Sequence, residues 1–193
     1  MSKMNEKIKI AQNRIKEILE YYNFDEIYIG HSGGKDSSVV MHLAHSINPN
    51  IAVIHNGKNI YDPYENPGPT DVNIKTLKFL YEYTLSKANF ITLVKSEKMA
   101  DYLKTQKYKV QIDGTRIDEY LRDKKSNTFE INGVQVSREN MNSHWHKKGL
   151  FGLDFLVPIY DWSSEDVFEY HKIHNILLSE EYITDPEYLK WRQ

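Results

Sequence analysis

Residues 27–40 read IYIGHSGGKDSSVV. The stretch opens on a short apolar run, EIYIG at 26–30, whose β-branched and aromatic residues predict a buried strand. It closes on Val39 and Val40, which Leu43, Ala44 and Ile47 join at helical intervals. Between the two lies SGGKDSS, a strand-to-helix turn. A helix start offers unpaired backbone N–H groups and a partial positive charge. Gly33 and Gly34 let the backbone curl closely around phosphate oxygens with no side chain intervening. Ser32, Ser37 and Ser38 add hydroxyl donors, and Lys35 supplies a movable cation suited to a transferred or leaving phosphate. Asp36 reads three ways: a Mg²⁺ ligand, a brace for the loop, or a cap for the helix. A bare SGG would be an ordinary glycine turn; strand, SGGKDSS and helix together favour a phosphate site. The spacing is neither that of a Walker A loop nor that of a dinucleotide fingerprint.

Moving outward, residues 4–22 place Ile8, Ala11, Ile15, Ile18, Leu19 and Tyr22 on one face of an amphipathic helix. NIAVIHN (50–56) predicts a second strand, NFITLVK (89–95) a third and KVQID (109–113) a fourth. Residues 97–105 read as a short helix. The loop NIYDPYENPGPT (59–70) is rich in Pro, Gly and Asn, and long enough to be functional. Thr70 would cap a helix carrying Ile74, Leu77, Leu80, Tyr81 and Leu85. TFEINGVQV (128–136) surrounds Asn132-Gly133 with two β-rich runs, which predicts a hairpin insertion near 127–137. LDFLVPIYDW (153–162) predicts a further buried strand that Pro158 ends. Ser163, with Asp166 three residues later, forms a capping box in which Asp replaces the usual Glu.

Strands alternating with helices predict an α/β fold, a mainly parallel sheet sandwiched by helices. In such sheets ligands bind beyond the carboxyl ends of the strands. The SGGKDSS loop, HNG (55–57) and DGTR (113–116) all follow strands, so they should converge on that one edge. The 193 residues are expected to form one domain, with the helix of residues 1–22 packed upon it.

The formal net charge of −2 does not mark a polyanion binder, and nucleic acid is not indicated. Lys104, Lys107 and Lys109, and Arg122, Lys124 and Lys125, read as solvated faces. Cysteine is absent, which excludes disulfides, thiolate metal sites and a cysteine nucleophile from this chain. No apolar run approaches the ~20 residues of a membrane span, and the charged N-terminus lacks a secretory core. A cytoplasmic location is expected. His144 and His146 would share a strand face, but without a third ligand they do not make a zinc site.

The SGGKDS loop after a strand resembles the pyrophosphate-binding loop of the N-type ATP pyrophosphatase superfamily. DGTRIDEYLR (113–122) is similar to the Gly-x-Arg segment of that superfamily's phosphoadenosine phosphosulfate (PAPS) reductase group. LVPIYDWSSEDVFEYHKIHNI (156–176) is similar to the group's Pro-Ile-x-x-Trp-x-x-x-Asp-Val segment. The resemblance runs from about residue 25 to about 178 and implies a Rossmann-like adenine nucleotide alpha hydrolase fold. It further implies ATP or a related adenine nucleotide, with Mg²⁺, on Ser32, Gly33, Gly34, Lys35, Asp36 and Ser37. Gly114 would allow close approach, and Arg116 would meet phosphate or sulfate, with Arg122 in the same duty. Lys35 and Arg116 would be the catalytic pair. The plain alternative for Arg116 is a surface salt bridge with Asp118 or Glu119. Trp162 and Asp166 match the segment as packing and capping residues, and His31 adjoins the loop as a candidate phosphate contact or a bystander.

Three departures bear on activity. Without cysteine the reductases' thiol chemistry cannot occur in this chain. The sequence ends at DPEYLKWRQ, where the reductases carry a longer tail bearing that thiol. The usual Asp-Thr-Gly after the second strand is replaced by Asn56-Gly57-Lys58, which bears on metal placement or substrate choice. The expected function is cleavage of ATP at the α–β bond, adenylylating an unknown acceptor and releasing pyrophosphate. The alternatives are a binding module for ATP, AMP or PAPS, and a subunit that works only with a partner protein.

Overall fold

The computed structural model describes residues 3–32, 34–56, 91–94, 98–117, 128–131, 134–137, 145–146 and 152–178. Their elements are α1 (Lys3–Tyr21), a 3-10 turn (Phe24–Glu26), β1 (Ile27–His31), α2 (Lys35–Ile47), β2 (Ala52–Asn56) and β3 (Ile91–Val94). There follow α3 (Met99–Thr105), β4 (Val110–Ile112), β5 (Thr128–Ile131), β6 (Val134–Ser137), β7 (Trp145–His146), β8 (Asp154–Leu156) and α4 (Ser164–Ile173). The larger sheet runs β3-β2-β1-β4-β8-β7. Its first five strands are parallel, and β7 pairs antiparallel to β8 at the edge. β5 and β6 form the expected hairpin, with Thr128 opposite Ser137 and Ile131 opposite Val134.

Register explains which side chains meet. Tyr28 stands beside Ala52 on one neighbour and Gln111 on the other, and Ile29 beside Val53 and Ile112. Because strand side chains alternate faces, Ile27, Ile29, Val53, Val110 and Ile112 line one side. There they pack on Ala11, Ile15 and Ile18 of α1, Val40 and Leu43 of α2, and Val167 and Tyr170 of α4. Each fully buried aliphatic side chain of this kind contributes roughly 1.5–3 kcal/mol. The opposite face carries Tyr28 and Ile54 under Leu103 of α3, with Met99, Tyr102, Tyr108 and Leu153 around them. Helices therefore cover both faces, as parallel strands require.

Besides packing on α2, α1 is tied to segments far along the chain. Arg14 forks onto Asp161 at 2.7 and 2.9 Å, donates to the Pro158 carbonyl, and lies 4.6 Å from the Tyr160 ring centroid. Lys7 pairs with Asp166 of α4. The expected capping box is present: Ser163 Oγ accepts from Asp166 N, and Asp166 Oδ2 accepts from Ser163 N at 2.7 Å.

β1 runs one residue further than the apolar run suggests and takes in His31. The expected helix beyond Thr70, the loop of residues 59–69 and Arg122 lie outside the described residues, as do Gly33 and His144. No helix among the described residues is long and apolar enough to cross a membrane.

Candidate functional site

In the sheet order, β2 and β3 lie on one side of β1, and β4 and β8 on the other. The chain thus reverses its winding direction at the β1–β4 boundary. Open α/β sheets bind ligands at such a boundary, beyond the carboxyl ends of the strands. The loop after β1 forms one wall and Asp113–Arg116 after β4 the other.

The first wall is a helix start without a side-chain cap. Gly34 sits at the N-cap in extended conformation (φ −84°, ψ 171°), and no side chain caps the helix. Ser32, exposed at the rim, accepts from Gly34 N–H at 3.2 Å, and its Oγ lies 3.1 Å from Ser37 Oγ. Ser37 and Ser38 turn their hydroxyls back to the Gly34 carbonyl at 3.0 and 2.9 Å. Both therefore brace the turn, and a helix start of this kind is where anions bind.

Asp36 braces the loop. Its Oδ2 accepts from Lys35 Nζ at 2.6 Å and its Oδ1 from Arg116 Nε, also at 2.6 Å. Each oxygen thus accepts from one cationic side chain. The described residues contain no group of three His, Asp or Glu able to hold a metal ion. Among the described residues no carboxylate set fits a resident Mg²⁺.

The second wall faces inward. Arg116 is fully buried (0% exposed), not on the surface. Beyond its bond to Asp36, Nη1 lies 3.3 Å from the Trp162 carbonyl and Nη2 3.3 Å from Ser164 Oγ. Its planar fork is turned toward the start of α4, behind the loop. Gly114 does allow close approach, but to protein. A Cβ there would stand 2.7 Å from Asp36 C, 2.8 Å from Ser37 N and 2.9 Å from Asp36 O. Only glycine lets the β4 loop lie against the first turn of α2.

Asp113, which the sequence reading passed over, ends β4 inside a polar relay. Its Oδ1 accepts from Thr115 N and Oγ1 at 2.9 and 2.6 Å, and its Oδ2 from Gln111 Nε2 at 3.2 Å. Gln111 Oε1 in turn accepts from the Tyr28 hydroxyl at 2.6 Å. Burial pushes the Asp113 carboxyl up, the Thr115 and Gln111 donors pull it partly back, and nearby Asp36 adds to the rise. Gly30 makes room for this relay, since a Cβ there would meet Gln111 Nε2 at 2.8 Å.

His31 is no phosphate contact. It is 2% exposed, on the core side of β1, with Nε2 3.4 Å from Ser38 Oγ. Burial, with His55 and His45 nearby, holds its pKa down to about 3. Strand alternation from Ile27 and Ile29 would have placed it there, had β1 been carried one residue further. The lysines expected on solvated faces have acidic partners: Asp101 for Lys104, Asp25 for Lys107 and Glu26 for Lys109. Arg122 and Gly33 lie outside the described residues.

The fold has relatives among solved structures at low identity. FMN adenylyltransferase of Candida glabrata, in complex with FMN and the ATP analogue AMPCPP, superposes with a TM-score of 0.61 at 14% identity over 93% of this chain. The present chain spans only 59% of that enzyme's length. NH3-dependent NAD synthetase of Campylobacter jejuni gives 0.60 at 13% identity, covering 99% of this chain and 81% of the other. PAPS reductase of Candida auris, a phosphate complex, gives 0.57 at 11% identity, covering 93% and 90%. At these identities the likeness establishes the fold, an adenine nucleotide alpha hydrolase-like one. A comparison with curated protein sequences gave no match. The family model of the phosphoadenosine phosphosulfate reductase domain matches residues 56–183, about two thirds of the chain, beginning after the SGGKDS loop and including the β4 and α4 segments. The chain therefore belongs to the phosphoadenosine phosphosulfate reductase domain family.

Proposed function

We propose that this chain seats the phosphates of ATP, as its magnesium complex, on residues 32–37 and adenylylates an acceptor. The observation that carries the reading is the uncapped start of α2 at the β1–β4 switch point, with Lys35 beside it. An acceptor oxygen or nitrogen attacks the α phosphorus, the bond between that phosphorus and the bridging oxygen breaks, and the electron pair leaves with pyrophosphate. Lys35 Nζ, released from Asp36, meets the charge that grows on the departing phosphates. Catalysis of this kind is chiefly positioning and electrostatics. Arg116 acts at one remove, by holding Asp36. The absence of cysteine excludes a thiol attack on sulfur by this chain. Support comes from the family match and from relatives whose described complexes hold FMN with an ATP analogue, or phosphate.

A second reading is a module that binds an adenine nucleotide without turning it over, or does so only beside a partner protein. The inward-turned fork of Arg116 favours it, because a catalytic cation expected at the phosphates is engaged elsewhere. Incubation with ATP and a panel of acceptors, including FMN, sulfate and nucleobase carbonyls, separates the two. The enzyme reading expects pyrophosphate in step with an adenylylated product seen by mass spectrometry, falling at least tenfold in Lys35→Ala. Tight ATP binding with no product from any acceptor would favour the module.

A further inference from the structure

Helix α4 ends in a turn that gives one of its histidines an unusual pair of neighbours. Asn175 adopts a left-handed backbone (φ 51°), Ile176 N–H donates to the His171 carbonyl at 2.9 Å, and Asn175 N–H lies 3.5 Å from the Lys172 carbonyl. This is a Schellman ending with asparagine in the position that glycine usually fills. Ile176, 9% exposed, anchors the turn in the core. The reversal brings the Ile176 carbonyl to 3.1 Å from Nδ1 of His171, whose side chain is buried at 2% exposure. The far edge of the same ring then meets the phosphate loop: Nε2 lies 2.8 Å from the carbonyl oxygen of Lys35, 136 residues away in the chain.

Lys35 is the first residue of α2. In a planar trans peptide the carbonyl of one residue and the N–H of the next point in opposite directions. Fixing the Lys35 carbonyl therefore fixes the direction of the Asp36 N–H, one of the open donors at the helix start. A neutral imidazole carries one N–H for two carbonyls, and the tautomer protonated on Nε2 serves Lys35. Two further ties hold the same turn from behind, Gly114 against its backbone and Arg116 on Asp36. His171 adds a side-chain bond to the Lys35 carbonyl, which the α2 ladder also engages.

We propose that His171 is a positioning residue, reaching from α4 to hold the Lys35–Asp36 peptide so that the Asp36 N–H faces a bound phosphate. The inference rests on the phosphate reading of the loop. A hydrogen bond of this kind contributes about a three- to tenfold change in affinity. Pyrophosphate and ATP titrations by calorimetry, with thermal unfolding of the nucleotide-free protein alongside, compare the native chain with His171→Leu and His171→Gln. Leucine keeps the volume without the donor; glutamine keeps a donor. Pyrophosphate binding about three- to tenfold weaker in His171→Leu, largely recovered in His171→Gln, is expected, with the native ring's 15N shifts showing Nε2 protonated. Equal affinity in His171→Leu and the native chain, or no recovery in His171→Gln, overturns the proposal. Should His171→Leu fail to fold, binding within twofold of native in His171→Gln supports it, and a tenfold loss there overturns it. A native chain that binds neither ligand overturns the phosphate reading, and the clamp with it.

Discussion

The loops after β1 and β4 meet at one boundary of the sheet and are built in opposite ways. The first keeps its helix start uncapped and its Ser32 at the rim. The second turns its polar atoms inward, with Asp113 holding Thr115 and Gln111, Arg116 fully buried, and Gly114 pressed on backbone. Segments that sequence likeness assigns to one shared site thus divide by duty. One loop starts a helix without a side-chain cap, and the other packs against that start. Substitutions should sort the same way, with stability lost on the buttress and affinity lost on the open side.

The largest loss of stability is expected from Asp36→Asn. It removes the carboxylate that pairs with Arg116 Nε, 0% exposed, and breaking a buried pair from one side costs about 3–5 kcal/mol. Urea unfolding measures it, and a loss under ~1 kcal/mol would mean that Arg116 does not need this partner. Next comes Gly114→Ala, where a methyl group must enter at 2.7–2.9 Å from the backbone of residues 36 and 37. Overpacking against atoms that cannot rotate away should cost about 3 kcal/mol, and a neutral effect in thermal melts would show that the two walls are not in contact.

A third effect depends on pH. His31, held down to about 3 by burial, resists protonation in the folded chain, whereas the unfolded chain takes the proton near 6.5. Its share of stability is complete above pH 6.5 and is lost as pH falls toward 3. Between pH 7 and pH 5 the loss is about 2 kcal/mol. His31→Phe should flatten that part of the curve; an unchanged acid limb would place the titrating group elsewhere. The smallest change in stability is expected for Lys35→Ala, under about 1 kcal/mol, because Asp36 keeps Arg116. Its pyrophosphate affinity should nevertheless fall at least tenfold by calorimetry, and this inversion is the sharpest contrast between the two walls.

What the sequence made legible was local. A β-branched run with glycines behind it announces β1 and its loop, Ser163 and Asp166 announce a helix start, and Asn132-Gly133 a hairpin. Each of these signals is complete within a few residues. The site's supports are not. Arg116 finds Asp36 across 80 positions and His171 finds Lys35 across 136, and no periodicity encodes such a meeting. Gly114 was legible as a close-approach glycine, yet what approaches it depends on strand order. The α4 ending could have been found, since an asparagine between a helical run and a buried isoleucine is a C-terminal signature.

The most direct test is a crystal structure of the native chain with a non-hydrolysable ATP analogue. Phosphate density within hydrogen-bonding distance of the N–H groups of residues 34–37, with Lys35 Nζ swung from Asp36 onto a phosphate oxygen, is the predicted result. A nucleotide bound with its phosphates away from residues 32–37, or Lys35 still on Asp36 beside a bound triphosphate, would contradict it.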